Sequence, residues 1–266
     1  MLDISTASSG TVEAPTDYTG GGGFLLDQNV HIATVVQCYG IKKPSGSMCL
    51  HFEFKTAAGK RLKEDCYFLS SKGKVDYPVK GGDGKPTGST RHLPGFVTCA
   101  NIVATAFPDS YKTFIADETK GATLVDRYAM FFQEALQSMS PGIAPVYSPA
   151  ARKEVDTEVD FIMESIIGKA VKIAVNKNLV NKQKKDANGN YVPVAESREE
   201  NEIANSFSSD EFSAAEMLAG ETKPTKMEAW MKANKGKTND KREIKTDPEA
   251  SAVESVSATP DTSLFG

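Results

Sequence analysis

The segment Ser47–Lys55 (SMCLHFEFK) alternates without a break. Met48, Leu50, Phe52 and Phe54 fall at one parity, and Cys49, His51 and Glu53 at the other. A strand turns successive residues to opposite faces, so this pattern predicts a β-strand with the phenylalanines in the core. Its neighbours extend the pattern. Val30–Tyr39 (VHIATVVQCY) is β-branched and partly alternating, and IKKPSG, with Pro44 and Gly46, joins the two as a hairpin loop. After a turn at Gly59, Leu62–Leu69 (LKEDCYFL) supplies a third strand. Strands across 30–69 then form a meander.

Beyond them, 70–95 is rich in Gly, Pro and Lys and reads as a long loop. Helical spacing follows at Phe96–Phe107 and Thr123–Met139. Ser148 as an N-cap, with Pro149 in the first turn, predicts a third helix reaching about Met163. Strand patterns return in Lys169–Val175, with Val171, Ile173 and Val175 on the buried face. Asn188-Gly189 marks a hairpin, Tyr191–Ala195 its returning strand, and Ile203–Phe207 one more short strand. Short helices are expected at Glu211–Leu218 and Lys226–Ala233. The first 23 residues, ending in four glycines, read as an arm, and the last 20 show no periodicity.

Charge is distributed unevenly. The chain has 266 residues and a net charge of −4. Residues 1–29 carry four acids and no base, as do residues 247–266, which leaves +4 for the interior. Residues 30–91 hold eleven Lys and Arg against five acids, and 168–185 hold six Lys and no acid. A basic interior between acidic arms suits a polyanion partner. No apolar run is long enough to span a membrane, and the start of the chain lacks the pattern of a signal peptide.

Motifs for catalysis are missing from the sequence. It contains no GxxxxGK[ST], no GxGxxG after a strand, no HExxH and no GxSxG. Glu64 and Asp65 are chain neighbours in a strand, so they point apart and make no carboxylate dyad. Cys38, Cys49, Cys66 and Cys99 lack CxxC spacing, and His31, His51 and His92 are scattered. All seven are read as structural or solvated, with no metal and no cofactor expected.

What remains is cations interleaved with aromatics. A single-strand binder needs positive charge along the phosphates and flat rings on which bases stack. The candidates are Tyr39, Lys42, Lys43, His51, Lys55, Lys60, Arg61, Lys63, Tyr67, Lys72, Lys74, Tyr77, Lys80 and Arg91. Phe52, Phe54 and Phe68 are assigned to the core, which leaves Tyr39, Tyr67 and Tyr77 for stacking. A second basic group is Lys169, Lys172, Lys177, Lys182, Lys184 and Lys185, a hairpin arm suited to phosphate. The acidic tail, with Asp261 and the apolar pair Leu264 and Phe265, is read as a partner-binding arm.

Three segments carry a resemblance to a known family: Gly168–Val175 (GKAVKIAV), the Lys-rich hairpin Lys182–Tyr191 with its Asn-Gly turn, and Arg198–Glu202 (REENE). With the meander before them, and 211–230 with Trp230 after them, the layout resembles the single-stranded-DNA-binding proteins of tailed bacteriophages, podophages in particular. The resemblance implies an α+β fold. Its β part would be an OB-like, partly open five-stranded barrel, with a helical insertion over 96–163 between the third and fourth strands. It also implies no catalytic centre and a C-terminal tail that recruits polymerases. Here the tail ends Leu264-Phe265-Gly266, without the family's dense acidic run closed by Phe.

The expected organisation is a disordered acidic arm over 1–23, one single-stranded-DNA-binding domain over 24–234, and a disordered acidic tail over 235–266. Expected partners are single-stranded DNA, a phage or host polymerase and other replication proteins reached through the tail, and further copies of the chain. No membrane partner is expected, and the setting is the host cytoplasm. The rival expectations are a polymerase-recruiting adaptor and, further off, a nuclease.

Overall fold

Strand β1 (Asn29–Lys42) is long enough to take several partners. One edge pairs antiparallel with β2 (Met48–Thr56), which pairs in turn with β3 (Arg61–Leu69). The other edge is shared. Residues Asn29–Thr34 pair with β8 (Ala170–Lys185), while Tyr39 and Gly40 pair with β7 (Lys153–Ile162). A bulge between Val35 and Gln37 lies between the two partners, where an extra residue bends a strand and raises its twist. At Gly40 a Cβ would sit 1.7 Å from the Phe161 ring, so only glycine lets β7 lie this close.

The computed structural model describes residues 25–148, 150–187 and 189–244. Within them the chain is an α+β fold dominated by an antiparallel sheet. Strand β9 (Tyr191–Phe207) runs back along β8 as a long ribbon, and β10 (Asn239–Asp240) adds a short parallel rung to β8. Strands β3 and β9 share no ladder among the described residues, so no closed barrel forms there.

The core lies between the inner face of this sheet and the helices. Val35, Leu50, Phe52, Phe54, Cys66 and Phe68 pack against Phe96, Cys99, Ile102 and Val103 of α1 (Pro94–Ala106). Helix α1 starts on Pro94, and its second residue is Gly95. A Cβ at Gly95 would meet the Tyr67 backbone at 2.4 Å, so glycine sets how closely α1 covers the β3 edge. Helix α2 (Pro108–Ala116) follows, then α3 (Leu124–Gln137), which opens with a capping box of Thr123 and Asp126. Phe132 of α3 meets Phe96 edge-on, with centroids 5.2 Å apart. Burying rings of this size contributes roughly 1.5–3 kcal/mol each.

Four expectations need correction. Ser148 and residues 150–163 are not a helix. They end strand β6 (Ser140–Ser148) and form β7, a hairpin that caps the outer face of β1 and β2. The physical reason is visible in 154–161, where Glu154, Asp156, Glu158 and Asp160 alternate with Val155, Thr157, Val159 and Phe161. That is a strand period with β-branched residues. The loop 70–95 contains its own hairpin, β4 (Asp76–Lys80) with β5 (Pro86–His92). Ile203–Phe207 is the end of β9, not a separate strand.

The fourth correction concerns 235–244, which belong to the folded body and not to a tail. Gly236 donates its amide to Gln28, and Lys241 to Leu179. The Asn181 side chain holds the amides of Glu243 and Ile244 and the Ile244 carbonyl. Backbone partners, not apolar burial, hold this polar stretch, so periodicity could not reveal it. Before it, α4 (Ala214–Leu218) and α5 (Lys226–Asn234) close the body. Glu216 accepts hydrogen bonds from Ser213, Thr225 and Lys226.

Candidate nucleic-acid interface

The ladders of β1, β2 and β3 set side chains in rows on the outer face. Tyr39, His51 and Asp65 stand abreast, with Ile41, Cys49 and Tyr67 in the next row toward the β1–β2 loop. On the far side stand Gln37, Glu53 and Lys63. The inner face takes Phe52 with Glu64, so Glu64 and Asp65 do point apart. Phe52, Phe54 and Phe68 are buried, in agreement with the reading of the sequence.

Tyr39 is not the exposed stacking platform that the sequence suggested. It is 5% exposed and lies against the His51 ring, with centroids 4.6 Å apart and planes 28° apart. The β6–β7 hairpin covers it, bringing Ala144, Val146 and Val159 onto the ring. Burial, with Asp65 and Glu154 nearby, raises its hydroxyl pKa well above the usual value. Alternation told which face Tyr39 lies on but not what lies over that face.

Tyr67 and Tyr77 are open. Tyr67 is 49% exposed, and the Lys43 ammonium stands 6.0 Å from its ring centroid. Tyr77 is 40% exposed and sits opposite Arg91 in the β4–β5 ribbon. Lys42, Lys43 and Lys55 make no ion pair among the described residues, and neither do Lys72, Lys74, Lys80 and Arg91. The β4–β5 ribbon forms ladders only within itself, so it stands as a separate basic element.

Other predicted cations have acidic or carbonyl partners within the fold. Glu53 is fully buried, and a buried carboxylate requires partners. Arg61 and Lys63 supply them at 2.5 and 3.3 Å, and Lys63 also meets Glu154. Lys60 donates to the Leu25 carbonyl. On β8, Lys172 pairs with Glu211 and Lys177 with Glu199, while Lys182 and Lys184 share Glu196. The run 168–185 holds no acid of its own, but its hairpin partner brings several alongside. Counting residues outward from the Asn188-Gly189 turn would have shown this. Asn188 itself lies outside the described residues. Lys169 stands over Phe107, and Lys185 stands 5.3 Å from the Tyr191 centroid.

Two further tyrosines, outside the candidates that the sequence offers, are exposed. Tyr191, just past the turn, is 65% exposed, and Tyr147 of β6 is 38% exposed. The position of Tyr191 directly after the hairpin signal could have flagged it. Nothing local flags Tyr147, because its segment carries two prolines.

A groove of about 190 Å³ lies between β6 and the outer face, lined by Tyr39, Lys43, His51, Asp65 and Tyr147 among others. A larger cleft of about 420 Å³ lies along the β3 edge, between Glu64, Tyr67, Gly95 and Ile203. His51 Nδ1 donates to Asp65 Oδ1 at 2.6 Å. The four cysteines are buried and unpaired. Asp261, Leu264 and Phe265 lie outside the described residues. No helix among the described residues is long and apolar enough to cross a membrane. No family model matches the chain, and neither the curated proteins nor the solved structures give a match.

Proposed function

We propose that this protein binds single-stranded DNA with little sequence preference, coating it and presenting it to enzymes of replication, recombination or transcription, as in the phage family that the sequence resembles. The observation that carries this reading is Tyr67 beside Lys43, a half-exposed ring next to an ammonium without an ion-pair partner, on the open end of a sheet face. A base stacked on the ring and a phosphate on the cation use both groups, and each stack contributes roughly 1–3 kcal/mol. Tyr77 with Arg91 on the β4–β5 ribbon, and Tyr191 with Lys185 on the β8–β9 ribbon, repeat the pairing of ring and cation.

The chain path supports an OB-like reading of the β part. A three-strand meander, a helix placed after its third strand and a later antiparallel hairpin that returns to β1 match that layout. Its seam between β3 and β9 is open, so the barrel would be a partial one.

Ultraviolet crosslinking to a 20-nucleotide oligo(dT), followed by peptide mapping, tests the assignment. Adducts are expected on Tyr67, Tyr77 and Tyr191. Adducts confined to peptides that contain none of these tyrosines would overturn it.

A further inference from the structure

We infer that the groove between β6 and the outer face of β1–β3 is a pocket for one nucleobase, and that Asp65 makes it select guanine. The inference rests on the single-strand reading above and adds to it one position with base preference.

Size comes first. At about 190 Å³ the groove is smaller than the roughly 300–1,000 Å³ of sites for drug-sized ligands, and it suits one planar ring system. Its walls are of the right kind. The His51 ring, backed by the buried Tyr39, lines the groove, and Tyr147 lines it from β6. Single-stranded bases are held between such flat groups and read along their Watson–Crick edges.

Chemistry then chooses the base. Asp65 uses one carboxylate oxygen to accept from His51, and its other oxygen makes no hydrogen bond among the described residues. The side chain is about half exposed and lines the groove. An ionised carboxylate offers about four acceptor sites and no donor. The His51 hydrogen bond lowers the Asp65 pKa against the opposing effect of burial, and Lys43 and Lys63 act in the same direction as His51, so the group stays ionised at neutral pH.

Guanine presents two adjacent donors on its Watson–Crick edge, N1–H and the N2 amino group, which match the two oxygens of one carboxylate. Adenine and cytosine each place an acceptor nitrogen beside their amino group, and thymine flanks its N3–H with two carbonyls. Those acceptors would face the carboxylate unpaired. A bidentate pair of this kind discriminates against the wrong base by roughly ten-fold or more.

Fluorescence anisotropy tests this with the full chain and five nine-nucleotide probes. Each is oligo(dT) with a central thymidine, deoxyadenosine, deoxycytidine, deoxyguanosine or deoxyinosine. The expected result is binding of all five, with the deoxyguanosine probe tightest by about ten-fold and deoxyinosine, which lacks the N2 amino group, in between. Asp65→Asn should abolish the preference, read as the ratio of deoxyguanosine-probe to all-thymidine-probe affinity.

Equal affinities for the five probes would overturn the pocket while leaving single-strand binding intact. Failure to bind any probe would overturn the single-strand reading itself. A guanine preference that survives in Asp65→Asn would remove Asp65 from the assignment. The deoxyguanosine-to-deoxyinosine contrast needs only the native protein and does not depend on the folding of the variant.

Discussion

The Glu64 carboxylate accepts the backbone N–H of Ile203 at 3.2 Å, bridging β3 and β9 where no ladder joins them. Burial raises the Glu64 pKa from 4.5 to about 7, although the Ile203 amide acts in the opposite direction. The folded state therefore holds this proton more tightly than the unfolded chain. Its stabilising contribution is complete below about pH 4.5 and is lost as pH rises through 7. Glu64→Gln keeps an acceptor for Ile203 without the charge. It should match wild type at pH 5 and exceed it by about 2 kcal/mol at pH 8 in urea unfolding.

Tyr39 and Tyr67 occupy adjacent rows of one face, yet they should behave in opposite ways. Tyr39→Ala empties a buried site and should destabilise the fold by about 3 kcal/mol. Tyr67→Ala removes an exposed ring and should leave stability within about 0.5 kcal/mol. It should weaken single-strand binding about ten-fold, with most of the affinity restored in Tyr67→Phe. Paired urea and anisotropy measurements separate the two effects.

Glu196 holds Lys182 and Lys184 together on the exposed ribbon. Such exposed pairs contribute little to stability, about 0–1 kcal/mol. Glu196→Gln should free both ammonium groups for phosphate. Single-strand affinity should rise at low salt, and the plot of log affinity against log salt should steepen by up to about 1.4, at roughly 0.7 per phosphate contact. Replacing both lysines by alanine should shift the slope the other way.

Glu216 ties α4 to the start of α5. Burial pushes its pKa up, but the amides of Ser213, Thr225 and Lys226 and the Ser213 hydroxyl outweigh this and bring it to about 2. The folded value lies below the unfolded 4.5, so its contribution is complete above pH 4.5 and is lost as pH falls toward 2. Glu216→Ala leaves several buried donors without a partner. It should destabilise the protein by about 2–4 kcal/mol, read by urea unfolding at pH 7. Oligonucleotide affinity under native conditions should stay unchanged.

The sequence made the meander legible because one face of β2 is strictly apolar, and that pattern alone decides the strand, its core face and the burial of Phe52 and Phe54. The hairpin 140–162 was hidden because Ser148 and Pro149 imitate a helix start and mask the alternation that follows. The site was legible only residue by residue. Tyr67 and Tyr77 are exposed, as a stacking role requires, since a tyrosine opposite a core residue or in a polar ribbon stays open. Tyr39 is covered by the β6–β7 hairpin, Lys63 is paired with Glu154 from 91 residues away, and Lys182 with Glu196 of the partner strand. Charge density along a chain does not give charge density in space.

Stacking-dependent binding of single strands is best checked by anisotropy titration of one labelled oligonucleotide, single-stranded and annealed to its complement, across a salt series. The single strand should bind at least about ten-fold tighter, with affinity falling as salt rises and the preference persisting at the higher salt, because stacking is not screened. Equal affinity for the two forms would contradict it, since a duplex hides the base faces that Tyr67, Tyr77 and Tyr191 are proposed to hold.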